Sequence, residues 1–290
     1  MIVKGSFSKG GKMLIATKLN GNVWGTRIAC FSAALFASTL LIAGDTAAGM
    51  KAFHAKDYAT AYKEFKAAAD QGDPNAEFNL GLMFARGLGV KQDLAEAMRL
   101  YHLAAQQGNA MAQYRLGFRY AQGWGVQQDY AEASKWFQLA ADQGDGRAQA
   151  GIASLYEEGY GVQQDYKTAV SYYRLAADKG IPNAQFDLAQ LIEKGKGTKR
   201  DPAEAFALYL KAAQQGFAPA QEKVGAMYAS GNGVAADPAQ AFFWSTLAAN
   251  QNERNAERRL ASMAARLSDD QTSRLKQSAR DWKPVLASQK

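Results

Sequence analysis

The chain has 290 residues, 48% hydrophobic and 21% charged, with a formal net charge of +7. Its single cysteine, Cys30, excludes a disulfide framework and a cysteine-built metal site within one chain. Residues 1–48 carry Lys4, Lys9, Lys12, Lys18 and Arg27 against one acid, Asp45, so +4 of the charge is local. The remaining +3 is no argument for a nucleic-acid partner, and none is expected.

The first 27 residues are basic and hold no acid. An apolar or small run, Ile28 to Ala43, follows, and then the small residues around Ala47–Gly49. A charged start, apolar middle and small-residue end is the layout of a secretory signal peptide, with Met13 as an alternative start. It predicts an exported protein, periplasmic or secreted. The alternative is an inner-membrane anchor, but sixteen apolar residues at ~1.5 Å each reach ~24 Å, short of a ~30 Å hydrocarbon core. Membrane association is expected only through an uncleaved leader.

Residues 49–75 read as an N-terminal capping half-repeat, in which Asp57, Ala61, Ala68, Ala69 and Gly72 follow a helix predicted near Thr46–Lys56. From Ala76 a pattern recurs every 36 residues, restarting at Ala112, Ala148, Ala184 and Ala220. Five repeats result: 76–111, 112–147, 148–183, 184–219 and 220–255. In the first, Ala76, Leu80, Gly81 and Phe84 mark one face of a helix A, with Asp73 as N-cap, Pro74 in its first turn and Gly87 closing it. Gly87-Leu88-Gly89-Val90 reverses the chain, with Val90 plugging the gap between helices.

Asp93 opens helix B, and Glu96 three residues on predicts a capping box. The same reading applies to Asp129/Glu132, Asp201/Glu204 and Asp237/Gln240, whereas Asp165 has Thr168 in the partner place. Glycine inside helix A, at Gly81, Gly117 and Gly225, costs ~1 kcal/mol against alanine, so it implies close approach of two helix backbones. Paired aromatic or leucine positions on helix B, such as Tyr172/Tyr173, predict core packing between repeats. One hairpin cannot bury both its faces, so neighbours must stack. Residues 256–290 read as C-terminal capping helices and tail. Ala256 and Leu260 hold the repeat register, Ser268 and Gln271 form a capping box, and Arg258, Arg259, Lys276 and Arg280 offer a polar outer face. Thirteen or fourteen helices and no strands are expected.

The residues Ala112, Leu116, Gly117, Tyr120, Gly123, Gly125, Val126, Asp129, Ala133, Ala140, Ala141 and Gly144 closely resemble the Sel-one-like repeat, a cousin of the tetratricopeptide repeat with a longer inter-helix turn. The resemblance spans about residues 57–260, and departures such as Phe84, Ile152, Thr198 and Asn252 are mild. It implies an all-α, right-handed superhelical solenoid capped at both ends. It also implies that helix A lines the concave side, and that the protein belongs with scaffolds and regulators of envelope signalling, assembly or export.

No catalytic, cofactor-binding or metal-binding residue emerges. The Gly-x-Gly turns have no preceding strand, so they read as turn geometry rather than a phosphate loop. His54 and His102 read as structural or solvated, and Glu157-Glu158 as a solvated pair. What varies between copies is the outward column set of helix A together with the turn. Its aromatic and basic members are the candidate partner-binding residues: Phe78, Arg86, Tyr114, Arg115, Phe118, Trp124 and Tyr160. The expected function is an exported, non-catalytic, monomeric adaptor that takes a protein or peptide in its groove. A peptidoglycan or glycan binder, or an inner-membrane-anchored sensor, is the alternative.

Overall fold

The computed structural model describes residues 46–251 and 253–285, so all but the last three residues of the proposed leader (1–48), with Cys30, and Asn252 lie outside it. The described residues form fourteen helices and no strand. Helix α1 covers 46–54 and α2 Tyr58–Ala69. The five repeats follow as hairpins. They are α3 (Pro74–Arg86) with α4 (Leu94–Gln106), α5 (Ala110–Gln122) with α6 (Tyr130–Asp142), α7 (Gly146–Glu158) with α8 (Tyr166–Asp178), α9 (Pro182–Lys194) with α10 (Pro202–Gln214), and α11 (Ala218–Ser230) with α12 (Pro238–Ala249). Helices α13 (Arg254–Ala264) and α14 (Asp269–Asp281) close the stack.

Local chemistry sets these boundaries. Asp73, Asn109 and Asp145 cap the first three A helices through their side chains. In α9 and α11 the cap positions hold Ile181 and Phe217, which make no side-chain cap bond, and a proline in the first turn does the work of starting the helix. Each A helix ends on a left-handed glycine, from Gly87 at φ 67° to Gly231 at φ 74°. No Cβ opposes that conformation in glycine.

The expected B-helix capping boxes are only half formed. Asp93, Asp129, Asp165, Asp201 and Asp237 all accept from the first-turn N–H groups. The reciprocal half has no donor left. The Asp93 N–H already donates to the Phe84 carbonyl at 3.0 Å, and the other four do the same towards Tyr120, Tyr156, Ile192 and Tyr228. These bonds fasten the turn back onto helix A. Glu96 and Glu132 therefore turn outward to Arg99 and Lys135. Ser268 and Gln271 do form the full box.

Stacking is built from small residues against rings. Tyr101, Tyr173 and Tyr209 are fully buried, and burying such a side chain stabilises by roughly 1.5–3 kcal/mol. A Cβ on Gly81 would sit 3.0 Å from the Tyr101 ring and 3.3 Å from the Ala97 carbonyl. The glycine thus makes room for a ring as well as for a helix backbone. The second turn glycine works between repeats: Gly161 lies against the backbone of Tyr130, Gly197 against Tyr166 and Gly233 against Pro202, each the first residue of the preceding B helix. Neighbouring A helices also touch, α5 with α7 and α11 with α13, as elements on the inside of a curved stack do.

The C-terminal cap covers the last repeat. Trp282 meets Trp244 edge-on with centroids 6.3 Å apart, and the Val285 N–H donates to the Gln214 carbonyl at 2.8 Å. Arg259 does not join the polar outer face. It is turned inward onto Glu222 of α11 at 2.9 Å, because α13 packs beside that helix.

Candidate functional site

The A-helix face opens into a cavity of about 360 Å³ between repeats two, three and four. Its floor is Ala150 and Gly151 of α7. The same two places hold Phe78/Asn79, Tyr114/Arg115, Phe186/Asp187 and Glu222/Lys223 in the other repeats. Repeat three lacks side-chain bulk there, and the gap between its neighbours is the cavity.

Aromatic rings form the walls. Tyr114 and Phe118 of α5 lie 6.3 Å apart, and Tyr114 is 6.0 Å from Phe137 of α6. Tyr160, from the third turn, is exposed and stacks on Tyr130 at 4.8 Å. Trp124 stands at the rim, 58% exposed, edge-on to Phe118 at 5.4 Å.

The polar groups are unevenly matched. Arg147 lies 4.6 Å over the Tyr114 ring and is bound to Asp145 at 2.6 Å, so its charge is answered. Asp187 of α9 lines the opposite wall and makes no hydrogen bond or ion pair among the described residues. Burial, and then the nearby Glu157 carboxylate, push its pKa up from 3.8 to about 7. Glu157 is not the solvated group its sequence position suggested. It accepts a 3.0 Å hydrogen bond from Tyr173, drawing it against helix B, while Glu158 stays exposed. One repeat on, Tyr209 binds Glu193 in the same way at 2.9 Å.

Of the sequence-predicted residues, Tyr114, Phe118 and Tyr160 come together in the cavity and Trp124 stands beside it. Arg86 and Arg115 do not line it. Phe78 does not face outward. It is 6% exposed and packs on Tyr101 at 5.8 Å, inside the core of the first repeats. Sequence reasoning missed Ala150 and Gly151, and it placed Asp187 in the outward columns of helix A without counting it among the aromatic and basic candidates. The readable signal was the third column of helix A, Asn79, Arg115, Gly151, Asp187 and Lys223, where size and charge change at every step. His102 is half-buried, with Nε2 3.2 Å from the Tyr120 hydroxyl, and burial lowers its pKa. Among the described residues no group of three His, Cys, Asp or Glu is placed to hold a metal ion.

The Sel1 repeat pattern matches residues 74–109, 110–145, 146–181, 182–217 and 218–253, well over half the chain. The chain belongs to the Sel1 repeat family. The matched Sel1 units start two residues before the alanine that marks each repeat, at or next to the first residue of each A helix. Similar solved structures include a Sel1 repeat protein from Oxalobacter formigenes, 29% identical with a TM-score of 0.72. That alignment covers 83% of this chain and 98% of the other. Another is c5321, a protective antigen of uropathogenic Escherichia coli with the same fold, 27% identical with a TM-score of 0.57. It aligns over 83% of this chain, which spans only 61% of that protein. No curated protein matches the chain. Sel1 repeat solenoids are typically protein–protein interaction scaffolds, and the geometry here is that of a capped, right-handed superhelical solenoid of this kind.

Proposed function

We propose that this chain is an exported, non-catalytic adaptor that holds a polypeptide segment along its A-helix groove, in envelope signalling, assembly or export. The observation that carries the reading is the cavity. Residues that differ between repeats line it, with rings and charges on its walls over a floor of Ala150 and Gly151. Binding surfaces favour such residues. The basic–apolar–small leader supports export, and c5321 is described as a protective antigen, which accords with exposure outside the cytoplasm.

Site-specific photocrosslinking in the native source tests the adaptor role. A crosslinker in place of Tyr160 is expected to yield a discrete protein adduct, and one in place of the exposed Leu175 on helix B is not. Retention on peptidoglycan with no protein adduct at either place would move the function to the glycan binder. N-terminal sequencing of the mature protein tests export, with a new terminus expected near Ala47–Gly49. An intact start at Met1 or Met13 would overturn the secreted form and favour the anchored sensor.

A further inference from the structure

The repeat supplies its own reference for the Asp187 wall. In repeat five, Lys223 occupies the third column of helix A. Its ammonium lies 3.4 Å from Glu193, the acceptor of the Tyr209 hydroxyl, and 5.9 Å from the Tyr209 ring. One repeat earlier Glu157 and Tyr173 reproduce Glu193 and Tyr209, with the same hydroxyl-to-carboxylate bond. The column residue there is Asp187. A carboxylate thus stands where the fold elsewhere puts a cation, next to a second carboxylate and on the wall of an open cavity.

The remaining lining suits the same charge. The rings of Tyr114, Phe118, Phe137 and Tyr160 present π faces and edges, and cations are attracted to such rings within about 6 Å. The chain uses that contact already, with Arg147 over Tyr114 and Lys196 over Tyr166, both at 4.6 Å. Since Arg147 is matched by Asp145, the unmatched charge of the cavity is negative. At about 360 Å³ it lies at the small end of ligand pockets, so it takes side chains rather than a folded domain.

We propose that this cavity takes a lysine or arginine side chain of the bound polypeptide, placing its charge on Asp187 and Glu157 and its stem among the rings of Tyr114, Phe118 and Tyr160. The proposal rests on the groove-binding reading and adds the chemistry of the ligand to it. The cation supplies from outside what Lys223 supplies within repeat five.

An array of random dodecapeptides, probed with the full mature chain at pH 7.5, tests it. Selected peptides are expected to be enriched in Lys or Arg, and replacing one such residue by norleucine should weaken binding at least tenfold. Asp187→Lys should abolish that dependence while remaining folded, because it rebuilds the Lys223–Glu193 arrangement one repeat earlier. Ser154→Trp, which fills the cavity from its exposed lining, should remove binding altogether, whereas Leu175→Ala, on the exposed face of helix B away from the groove, should not. Peptides that bind without needing a cation, yet are lost in Ser154→Trp, would overturn this inference and leave the groove reading standing. Selection of no peptide, or binding indifferent to Ser154→Trp, would overturn both.

Discussion

The side-chain amide of Gln143 donates to the side-chain oxygen of Gln113 at 2.7 Å, across thirty residues of sequence. Gln113 in turn donates to the Ala105 carbonyl at 3.1 Å. One buried glutamine therefore ties the end of α4 to α5 and to the end of α6. The link recurs as Gln215–Gln185 and Gln251–Gln221, both at 2.9 Å, and in repeat one with a carboxylate, Gln107–Glu77, at 2.8 Å.

Repeat three breaks the ladder. Lys179 stands in the donor's place and gives its ammonium to the Gly144 carbonyl, and the buried Gln149 Oε1 has no partner among the described residues. Lys179→Gln is expected to raise stability by ~1 kcal/mol, and Gln185→Ala to lower it by ~1–3 kcal/mol, by stranding the Ala177 carbonyl and the Gln215 amide. Urea unfolding midpoints check both. An unchanged midpoint in Lys179→Gln would mean the broken rung carries no cost.

Two glycines with similar backbones should respond differently to alanine. Gly108 has φ 88° and open space where a Cβ would go, so Gly108→Ala should cost only the backbone term, ~1 kcal/mol. Gly197 has φ 69°, and its Cβ would press on the backbone of Tyr166 in the preceding repeat. Gly197→Ala should cost ~3 kcal/mol or more, because it separates two repeats. Equal losses by chemical denaturation would show that the turn glycines serve their own turn alone.

Asp187 makes stability depend on pH. Its carboxyl keeps a proton in the folded chain up to about pH 7 that the unfolded chain loses near 3.8. The stabilisation is therefore complete below about pH 4 and is lost as pH rises through about 7. Glu157 of α7, Tyr173 of α8 and Tyr209 of α10 are the titratable groups facing it. Asp187→Asn, neutral throughout, should match wild type below about pH 4 and exceed it by ~1–2 kcal/mol at pH 8, a figure that allows for partial solvent screening. A pH-independent difference between the two proteins would mean that Asp187 ionises normally.

Trp282 closes the last repeat over Trp244, and α14 covers Leu247, which is only 5% exposed. Leu103, Leu139 and Leu175 occupy the same B-helix register and are 36–49% exposed. Trp282→Ala should cost ~3 kcal/mol or more, with faster amide exchange concentrated in α12 and little change in α4 to α8. Uniformly faster exchange would show instead that the solenoid unfolds as one unit.

The Asp93 cap, the Gly87 turn and the 36-residue period were legible in the sequence, since each depends on residues within three or four positions or on exact recurrence. The capping boxes misled because a distant group, the Phe84 carbonyl, had already taken the Asp93 N–H. Phe78 and Tyr114 share one column and one helical angle, yet Phe78 is core and Tyr114 is cavity wall. What separates them is the next repeat, which offers Tyr114 only Ala150 and Gly151. By itself the sequence determined that the chain stacks helical hairpins, because caps, turns and apolar faces act over one or two turns of helix. Only the tertiary structure decided where the stack leaves a gap and which charge stands unanswered on its wall, because both depend on side chains 30 to 40 residues apart meeting across repeats.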